Sequence, residues 1–144
     1  MDWAVGEIMA ALIATGEDES TLTFFTSDNG APLNKDFRGN LPLRGGKAQT
    51  WEGGWREPAL VRWPGRIAPG TVTQIVASTM DIHPTIMSLA GLKPSTTLDG
   101  LDLSDVLFGS TNGSVVGHEC FFFYRAPVVA NASDEIYAVR VSRP

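Results

Sequence analysis

Two polar clusters in the first third of the chain carry the side chains best suited to chemistry. A β-prone run, Thr21 to Thr26, ends at Ser27-Asp28-Asn29-Gly30, and Lys47 follows a pair of glycines further along. A carboxylate and an amide carbonyl are oxygen donors of the kind that Ca²⁺ or Mg²⁺ prefers. A lysine beside bare glycine backbone can hold a sulfate or phosphate oxygen. Groups that follow a buried strand in an α/β sheet face the crevice where ligands bind, so this stretch predicts a ligand site.

Simpler interpretations of the same residues remain open at this point. Asn29-Gly30 between apolar runs is a strong signal for a type I′ hairpin turn, although Pro32 makes the following segment a poor second strand. On spacing alone, Asp28-Asn29-Gly30 indicates a turn more often than a metal site. A lysine after two glycines is usually a solvated surface residue.

The remaining chemically capable side chains give weaker signals. The two histidines, His83 and His118, have no second ligand at metal-binding spacing, so structural roles are favoured. Three tryptophans either line a pocket or serve as large packing residues with one polar handle; they are Trp51, Trp55 and Trp63.

Composition restricts the class of protein. The 144 residues suffice for one modest domain, and the net charge of −5 with scattered Lys and Arg argues against nucleic acid as a partner. The single cysteine, Cys120, excludes an internal disulfide and, beside Phe121, predicts a buried thiol. No apolar window is long enough for a membrane span, and the N-terminus lacks the features of a signal peptide. Both ends look like cuts through a larger protein.

The first elements alternate between helix and strand, which predicts an α/β fold. Apolar spacing predicts an amphipathic helix over Asp2–Thr15, ended by Gly16. A strand covered on both faces follows at Thr21–Thr26. The glycine-rich stretch Ser27–Thr50 is a long loop of the kind that is usually functional, and Ala59–Arg62 is a second strand.

The second half predicts further short elements. Val72–Ala77 has the composition of a third strand, and Asp81–Ala90 that of a helix capped by the Asp81 side chain. Asp99–Phe108 is a short amphipathic element. Two β-prone runs, Cys120–Tyr124 and Ile136–Val141, predict the start of an antiparallel layer.

The order of these pieces resembles the arylsulfatase family, the type I sulfatases, over nearly the whole chain. The most specific matches are Ser27-Asp28-Asn29-Gly30, Gly46-Lys47, Glu52-Gly53-Gly54 and Arg56-Glu57-Pro58. The runs MDIHPTIMSLAG and LDGLDLSDVLFG follow in the family's order. Asp2 to Gly6 and Gly45 to Ala48 are most similar to the arylsulfatase A and steroid sulfatase branches.

The resemblance implies a fold, a reaction and three site residues. The fold is an alkaline-phosphatase-like α/β sandwich, here partial, in which residues 1–109 belong to the catalytic domain and 110–144 begin a small C-terminal antiparallel sheet. The reaction is the hydrolysis of a sulfate ester by a sulfuric ester hydrolase. Asp28 and Asn29 match metal ligands for Ca²⁺ (or Mg²⁺), and Lys47 matches the lysine that contacts the substrate sulfate.

The chain departs from the family pattern at the nucleophile. The formylglycine signature Cys-x-Pro-Ser-Arg is absent, and Cys120, followed by phenylalanines, does not match it. We therefore predict a C-terminal-half fragment that has no catalytic residue of its own and is inactive in isolation. The formylglycine and the family's upstream aspartate pair are expected in a missing upstream part. The alternatives are a non-catalytic binding module and a phosphoryl-transfer relative with a Ser or Thr nucleophile.

Location follows from the same resemblance. It implies a lysosomal or secretory and extracellular protein, and the sequons that begin at Asn112 and Asn131 are compatible with a glycoprotein. The expected partner is a sulfate-ester substrate, and nothing in the sequence indicates an oligomeric state.

Overall fold

The computed structural model describes residues 1–33, 39–110, 117–125 and 135–141. They group into two units, one made of Met1–Phe25 with Leu60–Gly117 and the other of Thr26–Ala59 with His118–Pro144. The predicted domain division at 109/110 stays a prediction, and both sequon asparagines lie outside the described residues. The helices are α1 (Asp2–Thr15), α2 (Glu52–Trp55), α3 (Ile82–Leu89) and α4 (Ser104–Leu107), and the strands are β1 (Thr23–Thr26), β2 (Ala59–Arg62), β3 (Cys120–Arg125) and β4 (Glu135–Val141).

Helix α1 has the predicted length but not the predicted polarity. Gly16 ends it in the left-handed conformation at φ 75°, which glycine adopts without the steric cost of a Cβ. Trp3, Ile8 and Ile13 are all exposed. Successive members of this set are five residues apart, or about 140° around a helix of 3.6 residues per turn. The helix is therefore apolar on all sides, a pattern typical of helices buried within a larger protein, and the amphipathic prediction is wrong.

Strands β1 and β2 form a two-stranded sheet. β1 begins two residues later than predicted, and β2 has the predicted bounds. The predicted full coverage of β1 is wrong within the described residues, because Thr26 is exposed and the rest of the strand is half-buried.

The first unit carries a surface ion pair next to this sheet. Both guanidinium nitrogens of Arg62 donate to the carboxylate of Asp18, at 2.6 and 2.8 Å. The hydrogen bond from Arg62 lowers the pKa of Asp18 below its ordinary value. Beside it, Trp63 Nε1 donates to the carbonyl oxygen of Glu19 at 2.9 Å. Two neighbouring side chains at the end of β2, Arg62 and Trp63, therefore both bond the short turn that contains Asp18 and Glu19.

No strand forms over Val72–Ala77, so that prediction is wrong. The Ile75 amide bonds the hydroxyl of Thr73 at 3.3 Å. Hydroxyl groups that bond nearby backbone offer the chain an alternative to a strand ladder.

A buried polar cluster, here called the Asp81 knot, ties α3 to the segment before α4. The Asp81 carboxylate accepts hydrogen bonds from the amides of Ser78 and Leu101, both at 2.7 Å. The Thr85 hydroxyl donates to the Asp81 carbonyl at 2.6 Å and accepts from the Leu103 amide at 2.9 Å. Asp81 and Thr85 are 0% and 1% exposed. Asp81 was expected to cap α3 itself, and this is wrong because its carboxylate serves the preceding 3₁₀ turn and the distant Leu101 instead.

Helix α4 is a single turn inside the longer element predicted over Asp99–Phe108. Asp102 acts as a turn residue before it and accepts a bond from the Ser104 amide at 2.8 Å. Partial burial alone would raise the pKa of Asp102, but hydrogen bonds from Ser88 and Ser104 hold it below its ordinary value.

Strands β3 and β4 pair antiparallel, with Cys120 opposite Val141, which confirms the predicted antiparallel pair. The register is irregular between Phe123 and Tyr124. Cys120 is half-buried rather than the buried thiol that was predicted. No helix within the described parts of the chain is long and apolar enough to cross a membrane.

Candidate functional site

The predicted metal ligands follow β1 in a bend. Asp28 is exposed and Asn29 is half-buried. The Asn29 amide nitrogen donates to the Asp28 carboxylate, so the two side chains are in direct contact. Neither Asn29 nor Gly30 has a positive φ. A type I′ turn requires positive φ at both central residues, so the hairpin alternative is excluded.

Lys47 lies against the same bend through its backbone. Its amide donates to the carbonyl oxygen of Ala31 at 3.1 Å, and its side chain is exposed. Ala31 is two residues beyond Asn29. This contact brings the Lys47 backbone beside the segment that carries Asp28 and Asn29.

Further backbone bonds brace this arrangement, and we call the glycines involved the glycine frame: Gly30, Gly46, Gly53 and Gly54. The Gly30 amide donates to the Gly54 carbonyl at 3.0 Å. The Gly53 amide donates to the Arg44 carbonyl at 2.8 Å. The four glycines are buried. Helix α2 carries two of these glycines. It therefore bonds both limbs of the loop, the one that contains Gly30 and the one that contains Arg44.

Two positions of the glycine frame show why side chains are excluded. A Cβ on Gly30 would overlap the backbone of Gly53 and Gly54. A Cβ on Gly46 would lie 2.6 Å from the Ala31 carbonyl oxygen, inside the closest distance that real Cβ atoms show. The close approach of Lys47 to Ala31 therefore depends on a bare backbone next to it.

The chain turns sharply just after Lys47. Ala48 has a φ of 68°, the left-handed conformation in a residue that has a Cβ. This conformation costs about 1–2 kcal/mol for an L-residue other than glycine. Strain of this size persists only where the surrounding contacts determine the backbone, and here the frame supplies them.

The tryptophans act in packing, as one of the two interpretations expected. The Arg44 guanidinium lies over the Trp51 ring at 3.7 Å, and the Trp55 ring centroid is 5.0 Å from that of Phe123. Trp63, in the first unit, packs 6.4 Å from Phe108.

The Glu52 carboxylate of α2 is paired with two arginines. Arg56 lies 3.6 Å from Glu52, and Arg140 also contacts the Glu52 carboxylate. Glu57 Oε1 is buried and has no hydrogen-bond partner among the residues that the structure describes.

The donor set fits a hard cation in type but not in number. Ca²⁺ takes six to eight oxygens, and the bend supplies one carboxylate and one amide oxygen. The described ranges contain no group of three or more His, Cys, Asp or Glu side chains placed to hold a metal. His118 instead packs 4.5 Å from the Phe121 ring. Asp28 and Asn29 can therefore form only part of a metal sphere.

A groove of about 330 Å³ lies elsewhere, in the first unit. Val72, Ile75 and Val106 contribute its apolar walls, and none of the predicted site residues lines it. Its lining is mainly apolar and includes one carboxylate, that of Asp105.

One residue of the site was not predicted. Asn40 bonds Ala31 and Gly45 through its side-chain amide, between the two limbs of the loop. In the sequence it follows Gly39 and looks like an ordinary turn asparagine. Its partners are backbone groups, which every residue type has, so the sequence does not show which residues Asn40 bonds.

Comparison with known proteins decides the family. The sequence profile described as Sulfatase matches residues 1–92. The chain belongs to the sulfatase family. It is 44% identical over 146 residues to human arylsulfatase A, covering 99% of this chain and 28% of that protein. It is 45% identical over 133 residues to rat steryl-sulfatase, covering 86% of this chain and 23% of that one.

A solved structure agrees with the sequence relatives. The sulfatase chain superposes on a crystal structure of a sulfatase from a Pseudoalteromonas species with a TM-score of 0.66 and 37% identity, covering 81% of this chain and 24% of the other. The fold is thus a partial match to the sulfatase fold, as the resemblance to the alkaline-phosphatase-like type implied. The chain spans about a quarter of the length of the relatives it matches.

Proposed function

We propose that this chain supplies the metal-contacting and sulfate-contacting part of a sulfatase active site that hydrolyses sulfate esters. Asp28 and Asn29 contribute oxygens to a Ca²⁺ (or Mg²⁺) ion, and Lys47 contacts the substrate sulfate. Membership of the sulfatase family supports the reaction class. The contact between the Lys47 amide and the Ala31 carbonyl supports the proposal most directly, because it holds the Lys47 backbone beside a residue that is two positions from Asn29.

The chemistry of the three side chains suits these roles. The bound metal would supply Lewis-acid polarisation of the sulfate. The Lys47 ammonium would hold one sulfate oxygen and place a fixed positive charge where negative charge develops. The Asn29 amide nitrogen orients the Asp28 carboxylate, which leaves the Asn29 carbonyl oxygen as the second donor.

The nucleophile is outside these 144 residues, since no Cys-x-Pro-Ser-Arg motif occurs in them. We propose that a formylglycine and the remaining metal ligands come from other sulfatase sequence, and that the isolated chain does not turn over sulfate esters. By similarity, the parent protein belongs to the lysosome or the secretory pathway.

Calcium binding is the direct test of the metal role. A ligand at ten times its Kd stabilises a folded protein by about 1.4 kcal/mol. We expect millimolar CaCl₂ to raise the Tm by an amount that corresponds to this free energy. Asp28→Asn should abolish the shift, whereas Asp105→Asn, which removes another exposed carboxylate, should preserve it. Equal shifts in all three proteins would show that calcium binds elsewhere and would refute the metal role.

The sulfate role has its own test. We expect sodium sulfate, titrated calorimetrically with calcium present and ionic strength held constant with chloride, to bind the chain. Lys47→Ala should weaken this binding about tenfold, the equivalent of one charge-assisted hydrogen bond. Lys93→Ala, at another exposed lysine, is the matched control. Unchanged binding in Lys47→Ala would remove Lys47 from the site.

A further inference from the structure

The side chain of Asn40 uses all of its polar groups within the candidate site. Its Oδ1 accepts from the Ala31 amide at 2.8 Å. Its Nδ2 donates to the Ala31 carbonyl at 2.8 Å and to the Gly45 carbonyl at 3.0 Å. The carboxamide thus pairs with both backbone groups of Ala31 and reaches the opposite limb as well.

Only one orientation of this amide satisfies its partners. Two backbone carbonyls require donors, and one backbone amide requires an acceptor, which matches an NH₂ group and a carbonyl oxygen. Aspartate, with the same shape, would retain the acceptor but place a carboxylate against two carbonyl oxygens. Alanine would remove one hydrogen bond from each of three backbone groups: the Ala31 amide, the Ala31 carbonyl and the Gly45 carbonyl.

The two limbs joined by Asn40 are the ones that carry the proposed ligands. Ala31 follows the Asp28–Asn29 bend, and Gly45 precedes Gly46 and Lys47 by one and two residues. The Ala31 carbonyl accepts from Asn40 and from the Lys47 amide together. Loss of the carboxamide therefore loosens the same carbonyl that holds the lysine backbone.

We propose that Asn40 is a positioning residue that fixes Lys47 relative to Asp28 and Asn29. The assignment deepens the proposed function and rests on it, because the distance that Asn40 sets matters only if these side chains bind one substrate and its metal. Asn40 itself touches neither.

The test compares Asn40→Ala with Thr85→Val in the whole 144-residue chain. Both changes remove polar side-chain atoms that bond backbone groups, but Thr85 belongs to the Asp81 knot and not to the site. We expect both to lower Tm, and only Asn40→Ala to weaken sulfate binding, by about five- to tenfold, measured well below the lower Tm. Asn40→Gln, which keeps the amide but displaces it by one methylene, should not restore affinity.

Amide hydrogen exchange followed by NMR gives a readout independent of any ligand. In Asn40→Ala the Lys47 amide should exchange at least about tenfold faster than in the unmodified chain, while the α3 amides should keep their rates. In Thr85→Val the α3 amides should exchange faster, and the Lys47 amide should keep its rate.

The outcomes separate the two proposals. If the unmodified chain does not bind sulfate but Lys47 exchange accelerates in Asn40→Ala, the function of the site fails while the role of Asn40 in holding Lys47 stands. If sulfate binds and Asn40→Ala neither weakens it nor accelerates Lys47 exchange, the positioning role is overturned. A loss of affinity in Thr85→Val equal to that in Asn40→Ala would reduce both effects to general destabilisation and would also overturn it.

Discussion

The Asp81 knot and the glycine frame solve the same problem with different atoms. In the knot, side-chain oxygens of Asp81 and Thr85 satisfy backbone amides from segments that are 18–20 residues away. In the frame, backbone groups mainly satisfy one another, and the buried positions are glycines. The knot is therefore damaged by removing atoms, and the frame by adding them.

The two aspartates that open these regions differ in the same way. Asp81 is fully buried, and its carboxylate is occupied by backbone amides, as is typical of a structural acid. Asp28 is exposed, and its carboxylate accepts a hydrogen bond from the side-chain amide of Asn29. An acid that faces solvent beside a second oxygen donor is available to a ligand, whereas an acid that serves the backbone is not.

The largest effect should follow from breaking the knot. Asp81→Ala removes two hydrogen bonds from partly buried amides to a carboxylate, each worth about 1.5–3 kcal/mol. We expect a loss of about 4 kcal/mol in the free energy of unfolding, measured by urea denaturation followed by circular dichroism. Asp99→Ala, at an exposed acid, should cost less than about 0.5 kcal/mol. If both cost the same, the carboxylate of Asp81 does not stabilise the fold.

A smaller loss should follow from adding one methyl group to the frame. Gly30→Ala places a Cβ on the Gly53–Gly54 backbone, and overpacking of this kind costs about 1–3 kcal/mol. Calcium and sulfate responses should disappear with it, whereas Asp81→Ala should keep them at temperatures where the protein remains folded. Gly6→Ala is the matched control, since nothing lies within 4 Å of its Cβ and helix propensity should raise stability by about 0.5–1 kcal/mol. An unchanged free energy of unfolding in Gly30→Ala would show that the glycine frame does not need a bare backbone at this position.

The smallest effect concerns side chains that bond at the surface. The hydrogen bond from Arg62 lowers the folded-state pKa of Asp18, so the pair adds stability above the unfolded pKa, near 4, and loses it as pH falls through the folded pKa. Arg62→Gln should therefore flatten the fall of Tm below about pH 4. Arg66→Gln, which removes a guanidinium stacked 5.2 Å from the Trp63 ring, should keep the slope. Identical acid slopes in the two variants would show that the pair contributes nothing.

Local signals in the sequence predicted the elements well. The bounds of α1, its Gly16 end, β2 and the antiparallel pair of β3 with β4 are encoded within a few residues each, and the structure confirms them. The exceptions depend on distant or competing groups. Asp81 was expected to cap its own helix, but the Leu101 amide draws its carboxylate away. The predicted third strand is absent where Thr73 bonds the backbone locally.

The sequence pointed to the side chains of the candidate site but not to the residue that bonds its backbone. Asp28, Asn29 and Lys47 were identified from residue types and from a resemblance, and the structure brings their backbones together while their roles stay proposals. Asn40 escaped, because an asparagine that bonds backbone five and nine residues away has the same sequence signature as one in a simple turn.

The glycine frame also bears on how such a site can diversify. Since its bonds run from backbone to backbone, their strength does not depend on which side chains surround them. Arg44 and Trp51 stack on each other at the edge of the frame and contribute only their backbones to it. Evolution can exchange such neighbours while the glycines keep the Asp28–Asn29 bend and the Lys47 backbone in place. We expect tolerance to substitution to be lowest at the residues with no side chain and to rise at the bulky residues beside them.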